Sequence, residues 1–241
     1  MKTALITGGT KGIGKAVAQR FLESGYEVIL NYYHDEDCAL ATQNEFNELD
    51  YCPVLMRADV SDEGQVKEMF KEIFRIFGGL DVLVNNAGVS KVNVIQDTTL
   101  ADWEEVVGVN LRGVFLCSRE AARSMISNGR GAIVNIASIW GEVGASCEVV
   151  YSATKGGVIA FTKALAKELA PSHITVNCVS PGVIDTQMNA NLSEDEVEEL
   201  INEIPLGRLG SGEDVASAVL FAAESSYVTG EVISVGGGFA K

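Results

Sequence analysis

Positive charge is scarce in this chain. Its 241 residues carry 18 Lys+Arg against 33 Asp+Glu, a formal charge of −15. Attraction to phosphate depends on clustered cations, so nucleic acid and anionic membrane surfaces are excluded as main partners. Proline is scarce too, at 4, and no Ser/Gly/Pro-rich stretch reads as a linker. A single domain over residues 1–241 is therefore expected. No run of about 18 apolar residues occurs that could span a bilayer. Strand-like residues begin at Thr3, leaving no space for a signal peptide, so a soluble cytoplasmic protein is expected. Cys38, Cys52, Cys117, Cys147 and Cys178 are scattered and never form C-x-x-C, and His34 and His173 are isolated. Neither a disulfide framework nor a metal site is indicated.

What is present is a composition 47% hydrophobic and 21% charged, enough to build a core. Short β-branched runs at 4–7, 27–31, 53–58, 80–85, 131–137, 175–179 and 231–235 alternate with amphipathic stretches such as 15–23, 63–77 and 103–125. Strand then helix, repeated, predicts an α/β fold: a Rossmann-type, doubly wound parallel sheet with helices on both faces. Val82-Leu83-Val84 and Ile133-Val134 lack polar alternation, as strands buried on both faces do. Residues 186–205 break the rhythm. There Ser193 and Glu196 have capping-box spacing, and Leu192, Val197, Leu200, Ile201 and Ile204 form an apolar stripe. Glu194, Asp195, Glu196, Glu198, Glu199 and Glu203 make the other face acidic, and the segment reads as a helical lid over an active site.

The first strand runs into Thr7-Gly8-Gly9-Thr10-Lys11-Gly12-Ile13-Gly14 and then a helix. Glycines permit the tight turn and let backbone approach a pyrophosphate, which rests on the helix N-terminus and its free N–H groups. The second strand ends at Asn31-Tyr32, without the carboxylate that would bond a ribose 2′-hydroxyl.

The pattern Thr-Gly-x-x-x-Gly-x-Gly resembles the short-chain dehydrogenase/reductase family, and the resemblance covers nearly the whole chain. Asp59-Val60 follows the third strand, where the family holds adenine, and Asn85-Asn86-Ala87-Gly88 matches the family's N-N-A-G. Asn110, Ser138, Tyr151 and Lys155 fall in the order and spacing of its catalytic tetrad. Pro181-Gly182-Val183-Ile184-Asp185-Thr186 matches the segment that meets the nicotinamide carboxamide. The resemblance implies a dinucleotide held by Gly8, Thr10, Lys11, Gly12, Ile13, Gly14, Asn31, Tyr32, Asp59, Val60, Asn86, Ala87, Gly88, Tyr151, Lys155, Pro181, Gly182, Ile184 and Thr186. Lys11 stands where NADP-preferring relatives carry a base for the 2′-phosphate, against which the acidic run Asp35-Glu36-Asp37 would act if it folds back. The balance favours NADP(H) over NAD(H).

Tyr151 and Lys155, at i and i+4, project from one helix face. A lysine cation about 4 Å from a phenol, at an effective dielectric of about 20, contributes on the order of 4 kcal/mol. On that basis Lys155 is expected to depress the Tyr151 pKa and to bond the nicotinamide ribose. Tyr151 would be the general acid of a ketone reduction, Ser138 would hold the carbonyl oxygen, and Asn110 would position a proton-relaying water. Alone, Ser138 also reads as a turn residue and Asn110 as a structural amide.

Within the family the sequence is most similar to the β-ketoacyl-acyl-carrier-protein reductases, through Ser138-Ile139-Trp140-Gly141, Ile174-Thr175-Val176-Asn177, Pro205-Leu206-Gly207-Arg208 and Tyr227-Val228-Thr229-Gly230-Glu231. Those enzymes meet their acidic carrier with basic residues near the active-site mouth. One such place here reads Gly129-Arg130, and the other, Ser172-His173, has lost its base. The substrate is expected to be a small or carrier-bound ketone, lying against Trp140, Val143 and Glu148. Glu148 reads either as a partner for a cationic substrate group or as a solvated carboxylate, and Trp140 as a cleft wall or a packing residue. The run Gly144-Ala145-Ser146-Cys147-Glu148 is also similar to a bacterial branch that reduces a 5-aminopentanone modification on elongation factor P, which makes an aminoketone the alternative substrate. Cys147 reads as a small buried packing residue. A non-catalytic dinucleotide-binding regulator is the alternative of another class, disfavoured because Tyr151 and Lys155 are both kept. The resemblance also implies a homotetramer packed through the two long helices at 103–125 and 151–170 and the last strand.

Overall fold

The structure is a computed structural model that describes residues 1–186 and 193–239. The strands are β1 (Thr3–Ile6), β2 (Glu27–Tyr32), β3 (Val54–Arg57), β4 (Val82–Asn85), β5 (Gly131–Ile136), β6 (Ile174–Pro181) and β7 (Val232–Val235). They form one parallel sheet in the order β3-β2-β1-β4-β5-β6-β7. Every strand expected from the sequence is present, with ends displaced by no more than two residues. The helices are α1 (Gly12–Glu23), α2 (Glu36–Glu48), α3 (Glu63–Phe77), α4 (Leu100–Val107), α5 (Gly113–Asn128), α6 (Trp140–Val143), α7 (Val149–Leu169), α8 (Glu194–Glu203) and α9 (Gly212–Glu224).

Successive strand residues point to opposite faces, and both faces are covered. Ala4 and Ile6 pack with Val17 and Phe21 of α1 and Val215 and Val219 of α9. Leu5, between them, packs on the other side with Val66 and Phe70 of α3, Leu116 of α5 and Leu169 of α7. The chain winds outward from β1 to β3 and returns to β4 on the far side of β1. The crossovers diverge there, which opens a crevice at the carboxyl ends of β1 and β4.

Two elements depart from the periodicity. The stretch 103–125 is not one helix, because a π-turn, Gly108–Arg112, separates α4 from α5. The acidic run at 35–37 starts α2: the Asp35 carboxylate accepts the Cys38 amide at 3.1 Å, capping the helix. In the lid segment the capping box is present. Glu196 N–H donates to Ser193 Oγ at 3.3 Å, and Ser193 N–H donates to Glu196 Oε2 at 2.8 Å. Leu192 lies outside the described residues. Among the described residues no helix is long and apolar enough to cross a membrane, and no cluster of His, Cys, Asp or Glu could hold a metal.

Candidate active site

The loop after β1 is built for close backbone approach. Gly8 has φ +60°, and a Cβ on Gly14 would lie 2.2 Å from the Gly8 carbonyl oxygen and 2.6 Å from Asn86 Nδ2. Lys11 stands at the N-cap of α1 with extended backbone and no capping side-chain bond, so the first helical N–H groups face the crevice. Asn86 ties the next strand to this loop, donating from Nδ2 to the carbonyls of Thr7 at 2.9 Å and Gly8 at 3.0 Å. Thr7 Oγ1 accepts the amides of Asn86 and Ala87 at 2.9 and 3.0 Å. The sequence showed Thr7 only as part of the glycine pattern, and its cross-strand bonds appear only once β1 and β4 are neighbours.

One cleft joins Gly8, Lys11, Gly12, Ile13 and Gly14 to Asn86, Ala87 and Gly88, and continues to Ser138, Tyr151, Lys155, Pro181, Gly182, Ile184 and Thr186. Five expected dinucleotide residues lie outside its lining. Thr10 is buried, its carbonyl taken by Thr42 Oγ1 at 2.7 Å. Asn31 is 2% exposed; its Nδ2 donates to the Ala58 carbonyl at 2.9 Å and its Oδ1 accepts the Gly8 amide. Its polar atoms brace β2, β3 and the loop. Asp59 Oδ1 is engaged by the Ser61 amide and hydroxyl at 2.8 and 2.7 Å. Val60 is buried, where a Cβ on Gly113 would come within 2.9 Å of it. Tyr32 is half-buried at the end of β2, in register with Arg57 of β3. Arg57 escaped the sequence reading. It donates from Nε to the Tyr33 carbonyl at 3.1 Å and holds a loose pair with Glu36 at 4.0 Å, a second exposed cation beside the end of β2. Only strand register, not spacing, could have found it.

At the other end of the cleft, Ser138 follows β5 and Tyr151 and Lys155 rise from α7. Burial pushes the Tyr151 hydroxyl up to about 12; its hydrogen bond with Ser138 opposes this and the Glu148 charge adds to it. Burial also brings the Lys155 ammonium down to about 8. Lys155 Nζ donates to the Ile136 carbonyl at 2.8 Å and lies 5.5 Å from the Tyr151 ring centre. The expected depression of the Tyr151 pKa by Lys155 is therefore not found: desolvation dominates, and the opposing influence comes from the Ser138 hydrogen bond, with Lys155 turned to the Ile136 carbonyl.

Asn110 sits in the π-turn, fully buried. Its Oδ1 accepts the Val89 amide and its Nδ2 donates to the Val89 carbonyl, both at 2.8 Å, with Thr154 Oγ1 at 3.3 Å. Both side-chain polar atoms bond protein groups. It fixes the loop after β4 beside Gly88, where a Cβ would lie 3.5 Å from both Asn110 Oδ1 and Lys155 Nζ.

The expected substrate residues lie outside the cleft lining. Trp140 donates its amide to Ser138 Oγ at 3.2 Å, and its ring meets Phe239 edge-on with centroids 5.8 Å apart. Val143 is exposed and borders a separate recess with Glu142 and Phe239. Glu148 is half-buried and accepts the Ser90 hydroxyl at 2.5 Å, so it is not a free loop carboxylate. Cys147 is not core: it is half-buried in a left-handed turn at φ +62°. Arg130 and His173 precede β5 and β6, at the amino ends of parallel strands and so across the sheet from Tyr151. Within one chain they do not border the active-site mouth. Arg130 instead pairs with Asp81 at 3.2 Å.

A family model described as enoyl-(acyl carrier protein) reductase matches residues 8–240. The chain is 43% identical over 239 residues to the 3-oxoacyl-[acyl-carrier-protein] reductase FabG of Aquifex aeolicus, covering 98% of this chain and 96% of that protein. Identity is 41% over 239 residues to the FabG of Staphylococcus aureus, with coverage of 98% and 97%. It is 40% over 240 residues to a (2S)-[(R)-hydroxy(phenyl)methyl]succinyl-CoA dehydrogenase subunit of Thauera aromatica, with coverage of 98% and 96%. A crystal structure from Agrobacterium tumefaciens, a dehydrogenase with gluconate as its suggested substrate, superposes with a TM-score of 0.95 at 32% identity, covering 98% of this chain and 95% of the other.

Proposed function

The chain belongs to the short-chain dehydrogenase/reductase family of oxidoreductases that interconvert CH–OH and C=O groups, and from that premise we propose that it is an NADPH-dependent ketoreductase acting on a 3-oxoacyl thioester, carrier-bound or free. The observation that carries this reading is the meeting of Ser138, Tyr151 and Lys155 at one end of a cleft whose other end is the uncapped N-terminus of α1. A dinucleotide fits these residues: bare N–H groups at Gly12 to Gly14 suit a pyrophosphate, and glycine at position 88 keeps open the space next to Lys155. Lys11 and Arg57 are the two cations that would meet a 2′-phosphate, while Asp35 caps α2 and Glu36 pairs loosely with Arg57. When bound, the nicotinamide supplies the hydride.

The remaining work falls to the chain. Ser138 holds the carbonyl oxygen, and Tyr151, protonated across the physiological range, delivers its proton as negative charge develops there. A secondary alkoxide is a stronger base than a phenolate, so transfer runs downhill even from a hydroxyl held near 12. Lys155, charged below about 8, stabilises the phenolate left behind. Asn110 acts as a positioning residue for the loop at 88–89. The lid role of α8 belongs to this reading as well.

Following NADPH and NADH oxidation with acetoacetyl-CoA and an acetoacetyl carrier protein tests the proposal. NADPH-dependent turnover of at least one is expected, and none with any 3-oxoacyl substrate would overturn it. A second reading, an aminoketone such as the 5-aminopentanone group, rests on the Glu148 charge felt at Tyr151 and on the exposed Asp195, Glu196, Glu198 and Glu199 of α8. Under it, Glu148→Gln lowers kcat/KM for an aminoketone and leaves acetoacetyl-CoA unchanged. We place the protein in the cytoplasm, and its assembly as a homotetramer is supported by exposed Leu100, Trp103 and Phe115 on α4 and α5 and Phe221 and Tyr227 near the last strand.

A further inference from the structure

The segment that follows β7 touches three parts of the site without entering the proposed chemistry. Gly236 meets the nicotinamide-side loop, where a Cβ on Gly182 would lie 2.7 Å from the Gly236 Cα. Gly237, at φ +61°, accepts the Leu206 amide at 3.1 Å, and a Cβ there would come 2.8 Å from Ile204. Gly238, at φ +90°, leaves no space for a side chain against Pro205. The amide of Phe239 then donates to the Gly236 carbonyl at 2.9 Å, closing a turn that aims the phenyl ring at Trp140.

The ring it reaches lies one residue beyond Ile139 from Ser138. Trp140 donates its amide to Ser138 Oγ at 3.2 Å, and Gly141 donates its amide to the Ser138 carbonyl at 2.8 Å. A Cβ on Gly141 would be 2.6 Å from the Lys155 carbonyl carbon, so this short helix is pressed onto the backbone that carries Lys155. Glu142, in the same helix, accepts the hydroxyls of Ser180 at 2.5 Å and Ser234 at 3.3 Å, which anchors its far side to β6 and β7. The helix is thus held by a carboxylate and by an aromatic pair. Of the two, the aromatic pair includes the residue whose amide bonds the Ser138 hydroxyl.

We infer that Phe239 is a positioning residue for ketone reduction: its ring fixes Trp140, and through the Trp140 amide it fixes the orientation in which Ser138 meets the carbonyl oxygen. The inference rests on the ketoreductase reading and extends it to a residue that lines no part of the dinucleotide cleft. An edge-on aromatic pair is worth up to about tenfold in an equilibrium or a rate. Because Ser138 acts on charge that grows in the transition state, losing the ring lowers kcat and kcat/KM together.

The test uses the full chain with Phe239→Ala, Phe239→Tyr and Phe239→Trp, assayed with NADPH and the best ketone. With two tryptophans in the chain, a Trp103→Phe background lets emission report Trp140 alone. Expected for Phe239→Ala are a red-shifted Trp140 emission, kcat down by about tenfold, and an NADPH Kd unchanged from wild type. Phe239→Tyr or Phe239→Trp restores kcat. The inference is overturned if emission shifts and kcat does not, if NADPH affinity falls in parallel with kcat, or if neither aromatic variant rescues. A wild type that binds NADPH and reduces no ketone overturns the ketoreductase reading itself, and this inference with it; an active wild type matched by Phe239→Ala overturns this inference alone.

Discussion

At Tyr151, burial and the Ser138 hydrogen bond pull in opposite directions, and burial wins. A hydroxyl held near 12 remains a loaded proton donor at neutral pH, so the proton-donating form needs no help from Lys155. Tyr151→Phe keeps the ring and removes that proton; turnover is expected to fall on the order of a thousandfold while NADPH affinity, read by nucleotide fluorescence, is retained. Lys155 titrates in the opposite sense. In the folded chain it gives up its proton near pH 8, whereas an unfolded lysine holds it to about 10.5. Between these values the unfolded chain binds the extra proton, so the stability attributable to this residue rises with pH across that window. Urea midpoints of wild type and Lys155→Met, compared at pH 7.5 and 9.5, should show wild type gaining on the variant at the higher pH. A constant difference would mean that burial does not set the Lys155 pKa. Lys11 and Arg57 give the prediction for the cofactor. Lys11→Ala and Arg57→Ala should each weaken NADPH by about tenfold, the value of one charge-assisted contact, and leave NADH unchanged. Equal loss for both nucleotides would remove these two cations from the 2′-phosphate site.

Among the elements, α1 and the π-turn do most to place the site. Gly14 is the point where α1 meets the first loop. Gly14→Ala puts a methyl carbon 2.2 Å from the Gly8 carbonyl oxygen, and neither backbone can yield without moving the helix. A stability loss of about 1–3 kcal/mol, with dinucleotide binding abolished, is expected from thermal melts with and without NADPH. The phosphate loop was legible because its requirement is local: a strand, small residues at fixed offsets and a helix start, all within the run from Thr7 to Gly14. The π-turn was not legible. Residues around Gly108 to Arg112 keep a helical pattern, and the extra residue in the turn matters only because Asn110 must meet Val89 and Thr154, partners from two other segments. The structural part played by the acidic run at 35–37 was similarly hidden, since the cap that Asp35 makes on α2 depends on where the helix starts.

For the whole molecule, the exposed apolar residues on α4, α5 and α9 are the feature a folded monomer does not explain. Phe115, 45% exposed in the middle of α5, is the residue to change. Light scattering should give a tetramer for the wild type and smaller species for Phe115→Asp; a monomeric wild type would leave this face for another partner. The parallel sheet also settles which residues can serve one site. Arg130 and His173 precede their strands, so they lie at the opposite end of the sheet from Ser138, which follows β5, and Pro181, which ends β6. Sequence spacing carried no such distinction.

By itself the sequence determined the strand and helix alternation, the glycine loop and the order of Asn110, Ser138, Tyr151 and Lys155, because each depends on residues close together in the chain or on an apolar pattern that one sheet must bury. Tertiary structure alone decided which side chains meet within the protein. It gave Asn31, Asp59 and Asn110 internal hydrogen bonds, turned Glu148 toward Ser90, brought Arg57 to the end of β2 and set Phe239 against Trp140. The reason is physical. A buried polar group takes the partner that the fold brings within hydrogen-bond distance, and that partner is usually many residues away along the chain.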